Sequence, residues 1–522
     1  MDVNGFCVAD IQNALRKLSK NKAGGPDDFP AEYWKRLGEN PAALHILMQF
    51  VNACWEADVV PEQWHEAFVS AIHKKGRTDL CENYRPISLL CVGYKIYAAL
   101  LRQRLVQAGA ENRLSKTQFG FRSGCGTLDA IFVLRRKIEA ALAQKSGRLI
   151  VLALDWQKAF DSIDPDAMIA GLTRFGLPSK MLRAISAIYS RRRFRVWDCN
   201  EASGWHDQNS GISQGCPLSP FLFSMIMTVI MADAARMLQP TEQTMLQEGV
   251  LSELMYADDT LLVGRTGASI EKFLYAVQAA GATFGLALHG DKFQMLQIGC
   301  DDAVRRADGS KIIASSEITY LGAIISADGR MERELTRRIG KAHAEFRALH
   351  RVWKHSSLTR VRKIEIFNAT VVSKLTYALA SSCLNVAEKR RLNGFHNRCV
   401  RKIWGIQPAF YSRVSNARVL ATAQQKPLTH MIAKQQLLLY GKAARAPTES
   451  VLRDSCLCPN SLRSATDRYA RRVGRPRKEW VPEAHKLAIQ LFGSSRAVDD
   501  IIYSEAMWRQ HVEQRMSRAS PA

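Results

Sequence analysis

The sequence predicts an α+β fold, on three observations. Two short, β-prone apolar runs lead into carboxylates, one over residues 149–155 and one over residues 254–263. Apolar residues recur at helical spacing over residues 9–20 and 127–144. Beyond Met331 the pattern is helical and strongly basic.

The second apolar run organises the rest. Leu254-Met255-Tyr256-Ala257 leads up to Asp258-Asp259, and Thr260-Leu261-Leu262-Val263 leads away. This reads as two strands with both aspartates at the turn between them. Asp is a common turn residue, but here strands of buried type flank the pair. Adjacent carboxylates repel, and partial burial sharpens the repulsion, so one protonates unless a cation lies close by. Upstream, Leu149-Ile150-Val151-Leu152-Ala153-Leu154 is a continuous apolar run that ends on Asp155. In a shared sheet Asp155 would meet Asp258 and Asp259. Oxygen donors of this kind suit two Mg2+ ions, with Mn2+ as substitute, which activate an attacking oxygen and neutralise a leaving pyrophosphate.

Leu154-Asp155-Trp156-Gln157-Lys158-Ala159-Phe160-Asp161 and Tyr256-Ala257-Asp258-Asp259 resemble the two catalytic motifs of reverse transcriptases, in the variant of LINE-type non-LTR retrotransposons. The resemblance implies a right-hand polymerase in which Asp155, Asp258 and Asp259 are catalytic and bind metal. Asn21-Lys22-Ala23-Gly24-Gly25-Pro26-Asp27-Asp28 resembles the loop that opens the polymerase domain of that family, with Gly24 and Asp28 as departures. The chain is therefore expected to start where that domain starts, without the endonuclease that many such elements carry upstream, and either to be truncated or to depend on a separate source of nicking.

Other motifs follow in family order. Ala71-Ile72-His73-Lys74-Lys75-Gly76 and Asn83-Tyr84-Arg85-Pro86 resemble the fingers, where a Lys and an Arg contact the incoming triphosphate. Cationic donors are what a polyphosphate needs; Arg85 and Lys74 are the candidates, with Lys75 an equal alternative to Lys74. Gln118-Phe119-Gly120-Phe121-Arg122 matches a segment implied to handle template, which makes Arg122 a candidate nucleic-acid contact. Phe160, five residues after Asp155, stands where the family places a bulky ring under the sugar of the nucleotide. Such a ring excludes a 2′-hydroxyl; the alternative is a core aromatic beneath the sheet. Arg191-Arg192-Arg193-Phe194-Arg195 interleaves basic and aromatic side chains, either as a nucleic-acid contact or as a solvated face.

Ser210-Gly211-Ile212-Ser213-Gln214-Gly215-Cys216-Pro217 resembles the loop whose Gln-Gly packs against nucleotide and template, and Ser219-Pro220 reads as the start of a helix. Gly285-Leu286-Ala287-Leu288-His289-Gly290-Asp291-Lys292 resembles the next element, with His289 where the family usually has Asn. There Lys292 could act as general acid for pyrophosphate. Residues 318–325 read as a strand pair at the place where the family grips the primer. Arg471-Arg472-Val473-Gly474-Arg475-Pro476-Arg477-Lys478 is the densest basic run, and Arg475, Arg477 and Lys478 are candidate nucleic-acid contacts.

Charge sharpens this division. The chain carries 73 Lys+Arg against 49 Asp+Glu, a net +24. Residues 1–330 hold 37 basic and 35 acidic side chains, whereas residues 331–522 hold 36 and 14. The excess would draw a phosphate backbone to the C-terminal part. No apolar run looks long enough to span a bilayer: the longest, Phe221 to Ala232, is interrupted by Ser224 and Thr228. The N-terminus lacks a signal-peptide pattern. The 12 cysteines show no framework spacing, which suits reduced thiols. Nucleus and cytoplasm are the expected locations.

The expected organisation is fingers with an N-terminal extension over residues 1–145, a palm with the catalytic carboxylates over 146–330, a helical thumb over 331–425 and a basic helical tail over 426–522. The expected function is RNA-directed DNA polymerase, extending a primer 3′-hydroxyl with dNTPs by two-metal phosphoryl transfer. Its partners would be an RNA template, a DNA primer or target, and dNTPs, with no membrane. The alternatives are an inactive nucleic-acid-binding remnant of such an element and an RNA-templated RNA polymerase.

Overall fold

The computed structural model describes residues 4–74, 76–198, 201–474 and 477–518. Lys75 and Arg475, named above, lie outside the described residues. In chain order the strands are β1 (Glu66–His73), β2 (Tyr84–Leu90), β3 (Leu149–Leu154), β4 (Arg193–Asp198), β5 (Glu201–Ala202), β6 (His206–Asp207), β7 (Ser252–Tyr256), β8 (Asp259–Gly264), β9 (Gln294–Ile298), β10 (Ala314–Ser315), β11 (Glu317–Tyr320) and β12 (Ala323–Ser326).

The central sheet runs β10-β9-β3-β8-β7. Its middle strand, β3, pairs antiparallel with β8 (Leu154 opposite Thr260) and with β9 (Leu152 opposite Met295). This brings the two apolar runs into one sheet, as expected. Both faces of β3 are covered, which explains a continuous apolar run instead of an alternating one. Successive side chains point to opposite faces. Ile150, Leu152 and Leu154 join a core with helices Ser219–Met237 and Gly267–Ala282. Val151 joins another, with Leu254, Leu261 and Leu296, beneath helix Thr127–Ala143.

That second core also takes in the C-terminal helices Leu428–Arg445, Trp480–Phe492 and Glu505–Arg518. Trp480 and Trp508 are fully buried; their indole N–H groups donate to the carbonyls of Ala380 (2.8 Å) and Leu437 (2.9 Å). Residues 477–518 are thus built into the fold and do not trail from it. A third core, around Phe346, Phe367, Leu392 and Val419, is made by the helices between Glu332 and Thr422.

A separate sheet joins β2 antiparallel to β1, and β1 parallel to β4. β11 and β12 form the expected strand pair, closed by Leu321 and Gly322, both at positive φ (46° and 71°). Two such residues make the hairpin turn that matches strand twist.

Helix Ser219–Met237 corrects the expectation about apolar runs. By length (19 residues) and mean hydropathy (1.4) it could cross a membrane, the one such helix among the described residues. Ser224 and Thr228 do not interrupt it, because their hydroxyls donate to the carbonyls of Pro220 (3.2 Å) and Ser224 (2.9 Å) in the same helix. Most of its length is buried against the central sheet, as in a core helix.

Candidate active site

The β7–β8 hairpin is closed by two residues. Tyr256 pairs with Asp259, leaving Ala257 and Asp258 as the turn, with Ala257 at φ 59°. Asp259 therefore opens β8 and is not a turn residue, one step from the place the sequence suggested. A side chain with a Cβ at positive φ is strained unless its surroundings hold it, and here Gln118 does so. Its side-chain oxygen accepts the N–H of Ala257 (2.9 Å), and its amide donates to the Ala257 carbonyl (3.3 Å). Beside it, Phe119 N–H donates to the Met255 carbonyl (2.8 Å), and Met255 N–H to the Thr117 carbonyl (2.9 Å). Gly120 then passes so close that a Cβ there would lie 2.2 Å from the Ala257 nitrogen.

The motif that starts at Gln118 thus cradles the Ala257–Asp258 turn. Nothing in its spacing points to a partner 139 residues away, so sequence reasoning missed this role. Asp258 is further fixed from below: its carbonyl accepts from the Thr260 hydroxyl (3.1 Å), which in turn accepts from the Trp156 indole (3.2 Å).

Asp155 leaves the end of β3 and faces this turn. Its backbone carbonyl accepts from His289 N–H (2.8 Å), and its carboxylate pairs with the Lys292 ammonium (3.0 Å). Asp155, Asp259, Lys292 and Tyr320 line one cleft of about 360 Å³. Burial, then repulsion from Asp258 and Asp155, pushes the Asp259 carboxyl up to about 6. Burial raises Asp258 as well; Asp155 adds to the rise and Arg85 opposes it. All three carboxylates therefore feel one another, as adjacent acids in a partly dry site must.

This donor set fits a hard divalent cation, since every candidate ligand is a carboxylate oxygen. As the side chains stand, no three acidic, histidine or cysteine groups among the described residues converge on one point. The Asp155 carboxylate is instead turned to Lys292, which supplies the compensating positive charge. Elsewhere, His396 and Cys399 are buried side chains packed in the third core, and the Cys456 thiol donates to the carbonyl of Leu452 (3.1 Å).

Around the carboxylates stand the other expected residues. The Gln214 side-chain amide donates to Asp161 (2.9 Å), and the Gln214 backbone carbonyl accepts from Ser88 N–H on β2 (2.7 Å). Gly215 follows at φ 136°, where a Cβ would meet the Ser88 carbonyl at 2.4 Å. The Gln-Gly loop is thereby docked on the strand that carries Arg85. Asp161, raised by burial and opposed by Gln214, Lys158 and Lys74, is a polar anchor of this loop that the sequence did not single out. Phe160 is half-buried, stacked on Phe223 (4.6 Å, 14°) and met edge-on by Phe121 (6.2 Å). Lys74 is exposed at the end of the β1–β2 hairpin.

Three candidates remain. Arg122 is partly exposed beside Cys125. Arg477 and Lys478 are exposed, and Arg477 donates to the Asp328 carbonyl (2.7 Å). On β4, Arg195 sits over Phe68 (4.6 Å) and Trp205 (5.0 Å), so its basic and aromatic groups largely satisfy each other.

The family "Reverse transcriptase (RNA-dependent DNA polymerase)" matches residues 72–325, which run from the end of β1 into β12 and include Asp155, Asp161, Asp258 and Asp259. A "Probable RNA-directed DNA polymerase from transposon BS" of Drosophila melanogaster is 31% identical over 220 residues, 42% of this chain and 24% of that protein. A "Retrovirus-related Pol polyprotein from type-1 retrotransposable element R2" of Nasonia vitripennis is 24% identical over 327 residues, 60% of this chain and 30% of that protein. The "Transposon TX1 uncharacterized 149 kDa protein" of Xenopus laevis is 26% identical over 331 residues, 61% and 24% respectively. The chain thus spans between 24% and 30% of the length of these relatives.

Proposed function

We propose that residues 72–325, which match the reverse transcriptase family, form such a domain, and on that premise that this chain is an RNA-directed DNA polymerase of the non-LTR retrotransposon type. The observation that carries the proposal is the approach of Asp155, at the end of β3, to Asp258 and Asp259 at the β7–β8 turn. Two Mg2+ ions held by these three carboxylates would supply Lewis-acid chemistry for phosphoryl transfer. The chain's own residues do the rest. Arg85 and Lys74 hold the triphosphate of the incoming dNTP by charge. The backbone of Gln214-Gly215, docked on β2, presents a flat edge to nucleotide and template. Phe160, backed by Phe223, sits under the sugar and excludes a 2′-hydroxyl.

The primer 3′-hydroxyl gives up its proton to solvent as its oxygen attacks the α-phosphorus in line, and the bond from that phosphorus to the bridging oxygen breaks. Pyrophosphate leaves and takes a proton from Lys292, which is positioned beside Asp155. In this reading residues 1–145 are fingers, 146–330 palm and 331–425 thumb, with the basic region of 426–522 packed behind the palm. Primer extension on an RNA template with Mg2+ and dNTPs tests the proposal. Wild type should extend the primer, while Asp155→Asn and Asp258→Asn should bind primer–template and not extend it. Absence of extension by wild type, or extension by Asp258→Asn at a similar rate, would overturn it.

A further inference from the structure

The two most exposed aromatic side chains among the described residues are neighbours, Phe410 (74% exposed) and Tyr411 (75%). They stand on a short turn, Ala409–Ser412, after helix Val386–Trp404. Their ring centroids are 5.3 Å apart, with planes at 84°, so a face and an edge are offered together.

The turn is built to hold them there. One buried guanidinium, that of Arg401, donates to the Gln407 carbonyl (2.9 Å) before the rings and to the Val414 carbonyl (2.6 Å) after them. It also bonds the Asn416 side chain (2.9 Å). Both ends of the loop are pinned to the third core, and Val419 and Leu420 bury the segment that follows. Rings left in water on a fixed turn serve no packing purpose; such surface marks an interaction site.

Charge says what kind. Residues 389–448 contain 12 Lys and Arg and no Asp or Glu. Arg413 lies over the Phe410 ring (5.6 Å), and Lys402 and Arg418 are exposed nearby in the chain. Sixty residues without a carboxylate complement a polyanion. Aromatic rings interleaved with cations are how proteins hold unpaired strands, because every unpaired base offers a π face while the cations follow the phosphates. A duplex hides those faces except at its ends.

We propose that Phe410 and Tyr411 form a stacking platform for single-stranded nucleic acid, with Arg413, Arg418 and Lys402 on its phosphates. For the source of that strand, RNA template or unpaired DNA, the inference rests on the polymerase reading; the binding itself does not.

The test measures binding of the full-length protein to an oligonucleotide as single-stranded RNA, single-stranded DNA and duplex, by fluorescence anisotropy across a salt series. Phe410→Ala/Tyr411→Ala should weaken single-strand binding about tenfold or more. Duplex binding should stay within about twofold, and the slope of log affinity against log salt should not change, since no phosphate contact is removed. Whichever strand loses more affinity names the source. Phe410→Leu/Tyr411→Leu keeps apolar bulk without a π face, so it should fail like the alanine pair. It also carries the test if the alanine pair unfolds.

Rescue by leucine, an equal loss on duplex, or unchanged single-strand affinity would each overturn the platform. So would a loss confined to anionic vesicles or to self-association, read by vesicle flotation and sedimentation. Primer extension from saturated primer–template is scored separately: its absence in wild type counts against the polymerase reading and leaves this one standing.

Discussion

Gly120→Ala isolates the cradle beneath the catalytic turn. The glycine is not at positive φ, so the substitution adds no backbone strain of its own. Its effect is steric: the new methyl would lie 2.2 Å from the Ala257 nitrogen and 3.0 Å from its Cα. Ordinary contact begins near 3.4 Å, so about 1.2 Å of separation must be found between two backbones. Neither side yields freely, because Gln118 and Phe119 tie both into one hydrogen-bonded unit. The displacement therefore reaches Asp258 and Asp259. A misplacement of about 1 Å at reacting groups costs on the order of 100-fold in rate. Gly126→Ala is the control: it lies in the same loop at φ −147°, and its Cβ would meet only the Asp129 carboxylate at 3.9 Å. Single-turnover primer extension at saturating dNTP should show Gly120→Ala slowed about 100-fold and Gly126→Ala unchanged, with both melting cooperatively. Extension by Gly120→Ala within about threefold of wild type would refute the view that backbone contact at Gly120 sets the carboxylate positions.

Phe160→Val should admit ribonucleotides while keeping most dNTP incorporation; an unchanged dNTP-to-rNTP ratio would make the ring a mere core residue stacked on Phe223. Burial depresses His396 to about 4, and neither ring nitrogen has a partner among the described residues. The free imidazole titrates near 6.5, so the unfolded chain takes up a proton first as pH falls. Stability is then complete above pH 6.5 and declines toward pH 4, by up to about 3 kcal/mol. Urea melts of His396→Leu should lack this part of the decline, and a curve parallel to wild type would refute it. Lys478→Gln should lower the slope of log affinity against log salt by about 1, as expected for one lost phosphate contact. An unchanged slope removes Lys478 from the nucleic-acid surface. Arg477→Gln should also cost stability, because its guanidinium holds the Asp328 carbonyl.

What could be read from sequence was what local patterning encodes. The runs before Asp155 and after Asp258 are apolar on both faces because β3 and β8 are covered on both sides, so the strands and their acidic ends stand out. The turn came out one residue off, since Ala257 does not advertise its positive φ in a sequence dominated by two aspartates. Gln118 and Asp161 act through partners far along the chain, and polar residues carry no periodicity that would show it. Residues 426–522 read as a basic tail because Trp480 sits in a dense run of cations. Its ring is nonetheless buried against Phe132 (4.6 Å), while Arg471, Arg472, Arg477 and Lys478 are exposed on the same short segment.

Leu437, Trp480, Trp508 and Met516 share one core with helix Thr127–Ala143, which lies over the face of the sheet that carries Val151, Leu261 and Leu296, and this has a consequence during synthesis. That helix and the strands emerge from the ribosome long before the C-terminal helices that complete the core. Until those helices arrive, Phe132 and its buried neighbours offer an apolar surface to chaperones or to other nascent chains. A message broken between Asp259 and Trp480 would yield a polypeptide with all three carboxylates and an unfinished core. The fold thus makes the stability of the carboxylate-bearing sheet depend on residues far downstream of it.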